Sequence, residues 1–206
     1  MGDPLEDLAW LCVKAWRFGQ PLEVGGLGTI DELIAAYEGA GGHRVDRDVF
    51  HWWLVQKTLQ WGIGCMGQAW VHLSGAVRSH EHAAIGRRVA EQEWDLIELL
   101  APDAWRDAAM APVPPPMADD PSRYGRPTAR ELLEAVREFV TAEVMTADDS
   151  RLAFHGRVAA NVLAIVEREL ALPATLRDGD DWPTLAVAVR DRLAVANPAH
   201  LARSLP

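Results

Sequence analysis

The residues with the clearest capacity for chemistry are three histidines close together in the chain, His72, His80 and His82. Imidazole nitrogens bind zinc and related metals when their spacing directs them to one ion. The spacing H-x7-H-x-H matches no known metal pattern, and the sequence contains no H-E-x-x-H. We therefore place His80 and His82 in a turn between two helices and predict no metal ligand.

Three tryptophans, Trp53, Trp61 and Trp70, lie on one predicted helix and can share a broad face. One interpretation makes them the aromatic wall of a substrate pocket. The other makes them part of the core or of an exposed surface, because large aromatic residues dominate ordinary cores. They are our candidate substrate-pocket residues.

A predicted helix further along the chain carries polar residues at helical spacing. Arg157 and Asn161 are four residues apart and share a face. Asn161 interrupts an apolar stretch, which indicates either a small polar site or a satisfied contact between helices. No G-x-S-x-G motif or other local signature of a catalytic triad occurs in the sequence.

Composition excludes several functional classes. The 206 residues carry a formal net charge of −10, whereas a nucleic-acid surface needs clustered Lys and Arg. No run of about 18 apolar residues indicates a membrane span, and the acidic amino terminus is unlike a secretory signal. Cys12 and Cys65 have no Cys or His at ligand spacing, which predicts buried apolar residues, no disulfide framework and a cytoplasmic protein.

The elements that position these residues are all predicted to be helices. Thr29 and Thr128 each begin a capping box, and Asp46 is an N-cap for a helix to about Leu73. Other helices are expected over residues 82–100, 151–172 and 183–195 from their apolar spacing. Since no segment shows a clear period of two, the predicted fold class is all-α: a helical subdomain and a small helical bundle.

A proline cluster predicts the domain boundary. Seven of the 13 prolines fall between Pro102 and Pro127, and proline favours extended, semi-rigid chain. Residues 101–127 also contain few large apolar side chains. We therefore predict a helical subdomain over residues 1–100, a linker over 101–127 and an accessory helical domain over 128–206.

The opening residues, Gly2-Asp3-Pro4-Leu5-Glu6-Asp7-Leu8-Ala9, resemble the G-D-P-x-x-D-L-A segment of the aminoglycoside phosphotransferase-like, or kinase-like, family. The similarity extends over about the first 100 residues and covers the carboxyl-terminal lobe of that family. It implies that Asp7 is structural rather than catalytic. Its usual partner segment is missing, so we expect Asp7 to be exposed or paired locally. Asp3 before Pro4 also suits a plain helix N-cap.

The same resemblance identifies what this sequence lacks. Family members carry a nucleotide-anchoring lysine, an H-G-D-x-x-x-x-N loop and a metal-binding Asp before the matched motif, whereas here Met1 immediately precedes it. ATP and Mg²⁺ are thus implied for the family, and for this chain alone we predict no catalytic, cofactor-binding or metal residues and no independent kinase activity. We expect a truncated product, a mis-assigned start or half of a split enzyme.

Residues 127–173 resemble a small uncharacterised helical domain that accompanies such phosphotransferases, on Pro127-Thr128-Ala129-Arg130-Glu131 and on Phe154-His155-Gly156-Arg157. We therefore hypothesise that the chain is the carboxyl-terminal part of a kinase-like phosphotransferase and that its partner is a missing amino-terminal kinase-like lobe. The alternative is a non-enzymatic helical interaction module that packs against a partner or itself. Truncation also predicts an exposed apolar surface where the missing lobe would meet this chain, and with it self-association. We expect this surface at four residues near the amino terminus: Leu5, Leu8, Trp10 and Leu11.

Overall fold

The computed structural model describes residues 2–112, 115–118, 126, 128–172 and 181–204. Over these ranges the protein is all-α, as predicted, and its β-structure is limited to an isolated bridge between Val24 and Gly28. No helix in the described residues is both long enough and apolar enough to cross a membrane. In chain order the helices are α1 (Pro4–Cys12), a 3₁₀ turn (Lys14–Arg17), α2 (Ile30–Gly39), α3 (Arg47–Leu73), α4 (His80–Gly86), α5 (Val89–Leu100), α6 (Pro102–Met110), α7 (Ala129–Phe139, continued by a π turn over Val140–Val144), α8 (Ser150–Ala171), α9 (Trp182–Ala196) and α10 (Pro198–Ser204).

The helices begin where capping chemistry predicts. Thr29 and Thr128 form the expected capping boxes with Glu residues three positions later. The Asp46 carboxylate accepts hydrogen bonds from two backbone N–H groups at the start of α3, and Asp3 caps α1 with proline at the first helical position. These side chains satisfy N–H groups that the first turn of a helix leaves unpaired.

The long helix predicted over residues 82–100 is wrong, because the chain forms two helices there. The backbone N–H groups of Arg87 and Arg88 donate to carbonyls three residues earlier, which tightens the turn between α4 and α5. Gly86 lies so close to α3 that an added Cβ would stand 2.6 Å from the Cβ of Ala69. This approach lets α4 pack on α3 before the chain turns into α5.

The first of two hydrophobic cores joins α1, α2 and α3. Cys12 and Val13 are fully enclosed there, and Leu5, Leu8 and Trp10 pack against its edge. The exposed apolar surface predicted at the amino terminus is therefore wrong for Leu5, Leu8 and Trp10, since α3 lies against α1. Leu11 is the exception, with 48% of its surface exposed.

The second hydrophobic core includes residues of the segment predicted to be a linker. Residues 102–110 are helical rather than extended, and Trp105 of α6 packs against Trp94 of α5, with ring centroids 5.6 Å apart. Ala104 and Ala108 are buried against α9 in the same cluster. Small alanines let two helices approach closely, so α6 enters the core without large apolar residues. Residues of the two predicted domains thus share one core.

Candidate functional site

A polar cavity of about 470 Å³ lies where the 3₁₀ turn, α5 and α10 meet. Lys14 and Arg17 reach it from the 3₁₀ turn, Arg88 and Glu91 from the start of α5, and His200 from α10. These three segments are distant in sequence. Packing of α5 on α9, which leads directly into α10, brings α5 and α10 together, and the ion pair of Lys14 with Glu98 holds the 3₁₀ turn to α5. The cavity therefore depends on the second core.

A buried histidine–aspartate pair lies at the cavity. Nε2 of His200 is 2.9 Å from Oδ1 of Asp95, and these residues are 9% and 2% exposed. Nδ1 of His200 lies 3.9 Å from a carboxylate oxygen of Glu91. The second oxygen of Asp95 has no hydrogen-bond partner among the described residues, although Lys14 Nζ is 3.6 Å from the first. The neighbouring carboxylate of Asp95 fixes the orientation of the His200 imidazole at the cavity.

The carboxylate of Glu91 is held by two donors. The Arg88 guanidinium donates to both of its oxygens at 3.0–3.2 Å, and Nδ2 of Asn197 donates to Oε1 at 2.9 Å. Burial lowers the pKa of Arg88, but the hydrogen bond to Glu91 and its negative charge raise the pKa above its ordinary value. Arg88 therefore stays charged, and the pair forms a fixed wall of the cavity.

The rim of the cavity carries guanidinium groups that are not in ion pairs. Arg17 donates to the backbone carbonyl of Cys12 at 3.4 Å, and Arg203 stands beside Gly19. Neither forms an ion pair within the described ranges, which leaves positive charge available for an anionic group. Phe18, which follows Arg17 in the chain, has a backbone φ of 48°. This left-handed conformation costs a bulky residue about 1–3 kcal/mol, and such strained residues are found at functional sites.

The predicted substrate-pocket tryptophans are not brought together. Trp53 is half-buried and its Nε1 donates to Asp3 at 2.9 Å. Trp61 is half-buried against Trp16, with ring centroids 4.9 Å apart, whereas Trp70 is 67% exposed. None of the three lines the polar cavity, and a substrate-binding role for them stays a prediction.

The Gly2-Asp3-Pro4 motif is used to start and fix α1. One carboxylate oxygen of Asp3 accepts from the N–H of Leu5 at 2.9 Å, which confirms the predicted N-cap, and the other accepts from Trp53 on α3. Asp7 is exposed, as expected for a carboxylate without a buried partner segment. This motif therefore has a structural role in the described chain.

The outer face of α3 is apolar and is not covered by any other part of the chain that the structure describes. Between residues 58 and 77 the sequence contains no Asp, Glu, Lys or Arg. Large apolar residues recur on this face at alternating intervals of three and four, with Gln56 at the remaining position. We name this set the α3 stripe; its members are 41–75% exposed and are Val49, Trp52, Leu59, Ile63, Met66, Trp70 and Leu73.

The three histidines singled out in sequence do not form a group. Nδ1 of His72 accepts from the backbone N–H of Ser79 at 3.0 Å and fixes the turn before α4. His80 and His82 begin α4 rather than lying in a turn. His80 instead lies edge-on to His155 of α8, with ring centroids 5.1 Å apart, a pairing that sequence spacing does not reveal.

A second cavity, of about 380 Å³, lies between α4, α5 and α8. Arg157 and Asn161 line it, and Asn161 is exposed rather than buried between helices. The sequence-based interpretation of Asn161 as a satisfied interhelical contact is therefore wrong.

The sequence contains one signal for the polar residues at the cavity that were not predicted. Glu91 and Asp95 are four residues apart and share the buried face of α5 with Trp94. Carboxylates within an apolar face need partners once buried. Their partner His200 lies 105 positions from Asp95, so the chain alone does not identify it.

Comparisons with known proteins give one partial match. Residues 145–181 match the model of a domain of unknown function, DUF6285. The match covers α8 and overlaps the segment that resembles an uncharacterised helical domain, and its description assigns no activity. No curated protein and no solved structure matches the chain.

Proposed function

We propose that this chain is a helical part of an aminoglycoside phosphotransferase-like protein and that it docks on a kinase-like lobe. The observation that carries the proposal is the exposed, charge-free α3 stripe, together with the resemblance of the first 100 residues. Contiguous exposed apolar surface of this kind is typical of interaction sites. In this role the chain positions helices and ligand groups and transfers no phosphoryl group itself.

The α3 stripe is large enough for a stable interface. If a large apolar side chain has about 200 Å² of surface, the exposed fractions of its seven members amount to roughly 800 Å². Stable protein–protein interfaces bury about 800 Å² on each partner. The opposite face of α3 is already used, because Lys57 pairs there with Glu6 of α1. Docking on the stripe therefore leaves the first core intact.

The described residues at the polar cavity do not fit ATP and Mg²⁺. A magnesium ion beside phosphates needs free carboxylate oxygens, whereas the two carboxylates that line the polar cavity are already paired, Glu91 with Arg88 and Glu98 with Lys14. The polar cavity instead suits the anionic or polar part of a small molecule, held by Arg17 and Arg203. We propose that a partner lobe supplies nucleotide and metal, and that the protein is cytoplasmic, where its two free thiols stay reduced.

A second candidate function is favoured by the spacing of the α3 stripe. Alternation of three and four residues is the repeat of a coiled-coil seam, and α3 has 27 residues, or about 40 Å of helix. Two copies of the chain can bury this seam against each other. In this alternative the chain is a non-enzymatic helical module that associates with itself.

The test is co-purification with a kinase-like lobe that carries H-G-D-x-x-x-x-N, followed by analytical ultracentrifugation. We expect a one-to-one complex that is lost in the double variant Ile63→Glu/Trp70→Glu, because charges on the stripe cannot be buried unpaired. His51→Glu is the control, since it also adds a carboxylate on exposed α3 but outside the stripe. Absence of any complex, or binding of ATP by this chain alone, would contradict the proposal. A dimer of the chain alone that the double variant abolishes supports the alternative.

A further inference from the structure

Two helices that are distant in sequence bring metal-binding side chains together. His80 and Glu81 are the first residues of α4, and His155 lies in the second turn of α8. One ligand atom from each residue lies within 4.8 Å of the other two. The helices α4 and α8 are packed against each other, so this arrangement follows from the fold rather than from one flexible segment.

The ligand atoms are available to a cation. Nδ1 of His155 is 2.9 Å from Oε1 of Glu81, yet the pair is not aligned as a hydrogen bond, and this nitrogen has no hydrogen-bond partner among the described residues. His80 is exposed and lies edge-on to His155. An enclosed imidazole nitrogen with no proton partner is costly unless something binds it.

The donor set matches zinc. Two histidines and one glutamate, with an open fourth position, are a known zinc ligand set, with bonds of about 2.0–2.2 Å. In such a tetrahedral shell neighbouring ligand atoms lie about 3.3 Å apart. The contact between His155 and Glu81 is already close to this distance. The exposed His80 needs a shift of at most about 1.5 Å, which rotation of its own side chain supplies.

The surrounding charges permit a divalent ion. The adjoining cavity is lined by Arg87, Arg88 and Arg157, and the guanidinium of Arg157 lies over the ring of Phe154. Arg87 is paired with Glu169 of α8, and Arg88 with Glu91 of α5. Their charges are therefore partly neutralised, and the carboxylate of Glu81 faces the two imidazoles.

We propose that His80, Glu81 and His155 form a binding site for a divalent transition-metal ion, with zinc as the ion that fits best. The ion joins the start of α4 to α8 and so fixes the region that the DUF6285 match covers to the helices that pack on α3. This inference rests on side-chain geometry and is independent of the proposed phosphotransferase association.

The test is a zinc titration by isothermal calorimetry of metal-free, untagged full-length chain. We expect one zinc per chain and a higher midpoint of thermal unfolding when zinc is present, since a ligand that binds only the folded state stabilises it. His80→Ala and His155→Ala should each weaken binding by more than the ~10–100-fold that loss of an outer-shell partner costs. His43→Ala, an exposed histidine outside the group, is the matched control and should leave affinity unchanged.

Cobalt substitution provides an independent measurement. Co²⁺ bound by two imidazoles and a carboxylate in a four-coordinate site gives strong visible absorption, which should disappear in His80→Ala. Because His80 is exposed, that variant should keep its fold even if His155→Ala does not. Zinc affinity that is equal in the chain, His80→Ala and His43→Ala would overturn the proposal, as would binding of several zinc ions with no effect on unfolding.

Discussion

Replacement of Trp105 by alanine tests whether the proline-rich segment belongs to the core. Trp105 is 8% exposed, so it removes about 230 Å² from water if an indole side chain buries up to ~250 Å². At about 25 cal/mol per Å² of buried apolar surface, full loss of that burial would lower the free energy of unfolding by about 6 kcal/mol. Relaxation and the remaining methyl group reduce this to the ~3–5 kcal/mol seen for Trp→Ala in cores.

The buried indole nitrogen of Trp105 lowers the expected cost further. Nε1 has no hydrogen-bond partner among the described residues, and a buried unpaired donor costs about 1–3 kcal/mol that the substitution recovers. We therefore expect Trp105→Ala to lower the free energy of unfolding by about 3 kcal/mol, a large share of the ~5–15 kcal/mol typical of a folded domain.

The assay is urea unfolding followed by both tryptophan fluorescence and far-ultraviolet circular dichroism. Both signals should shift together, because α6 lies in the core that α5 and α9 share. Met110→Ala at the end of the same helix is the control; Met110 is 74% exposed and its loss should change stability by less than about 0.5 kcal/mol. A loss below about 1 kcal/mol for Trp105→Ala would refute the placement of α6 in the core.

Three further predictions concern the first half of the chain. Burial raises the pKa of Cys12 and of Cys65 to about 11. Neither thiol should therefore react with a disulfide reagent at pH 8 until urea unfolds the chain. Fast labelling of the folded protein would contradict their burial. Unfolded thiols lose their protons above about pH 9 while the folded ones keep them, so the free energy of unfolding should fall between pH 9 and about 11. Asp3→Ala removes both the cap of α1 and the hydrogen bond from Trp53, and should cost about 1–2 kcal/mol in thermal unfolding. Asp7→Ala is its control, since Asp7 is exposed, and equal losses in the two variants would argue against the capping role.

Sequence reasoning succeeds where the determining chemistry is local. The caps at Thr29, Asp46 and Thr128 are confirmed because the side chain and the N–H groups it satisfies lie within three residues. The apolar spacing over residues 82–100 does not predict the break at Arg87 and Arg88. Gly86 directly before it weakens a helix, but one glycine does not locate a turn that accompanies the packing of α4 on α3.

Long-range features of the site could not be derived in this way. Helix α6 contains mainly alanine and charged residues, and its burial depends on the close approach of α9, whose sequence lies beyond the proline cluster. The buried face of α5 does contain Glu91 and Asp95, which signals a polar site. Pairing of Asp95 with His200, and of His80 with His155, depends on how the helices meet and on no local pattern.

The core shared by α5, α6 and α9 also has a consequence for biosynthesis. About 85 residues separate the end of α6 from the end of α9, and at ~5–20 residues per second a ribosome needs roughly 4–17 s to make them. During this interval Trp94 and Trp105 have no α9 to cover them. We therefore expect the nascent chain to expose this pair to chaperones until α9 emerges, so that folding of the second core is completed only after most of the chain has been translated.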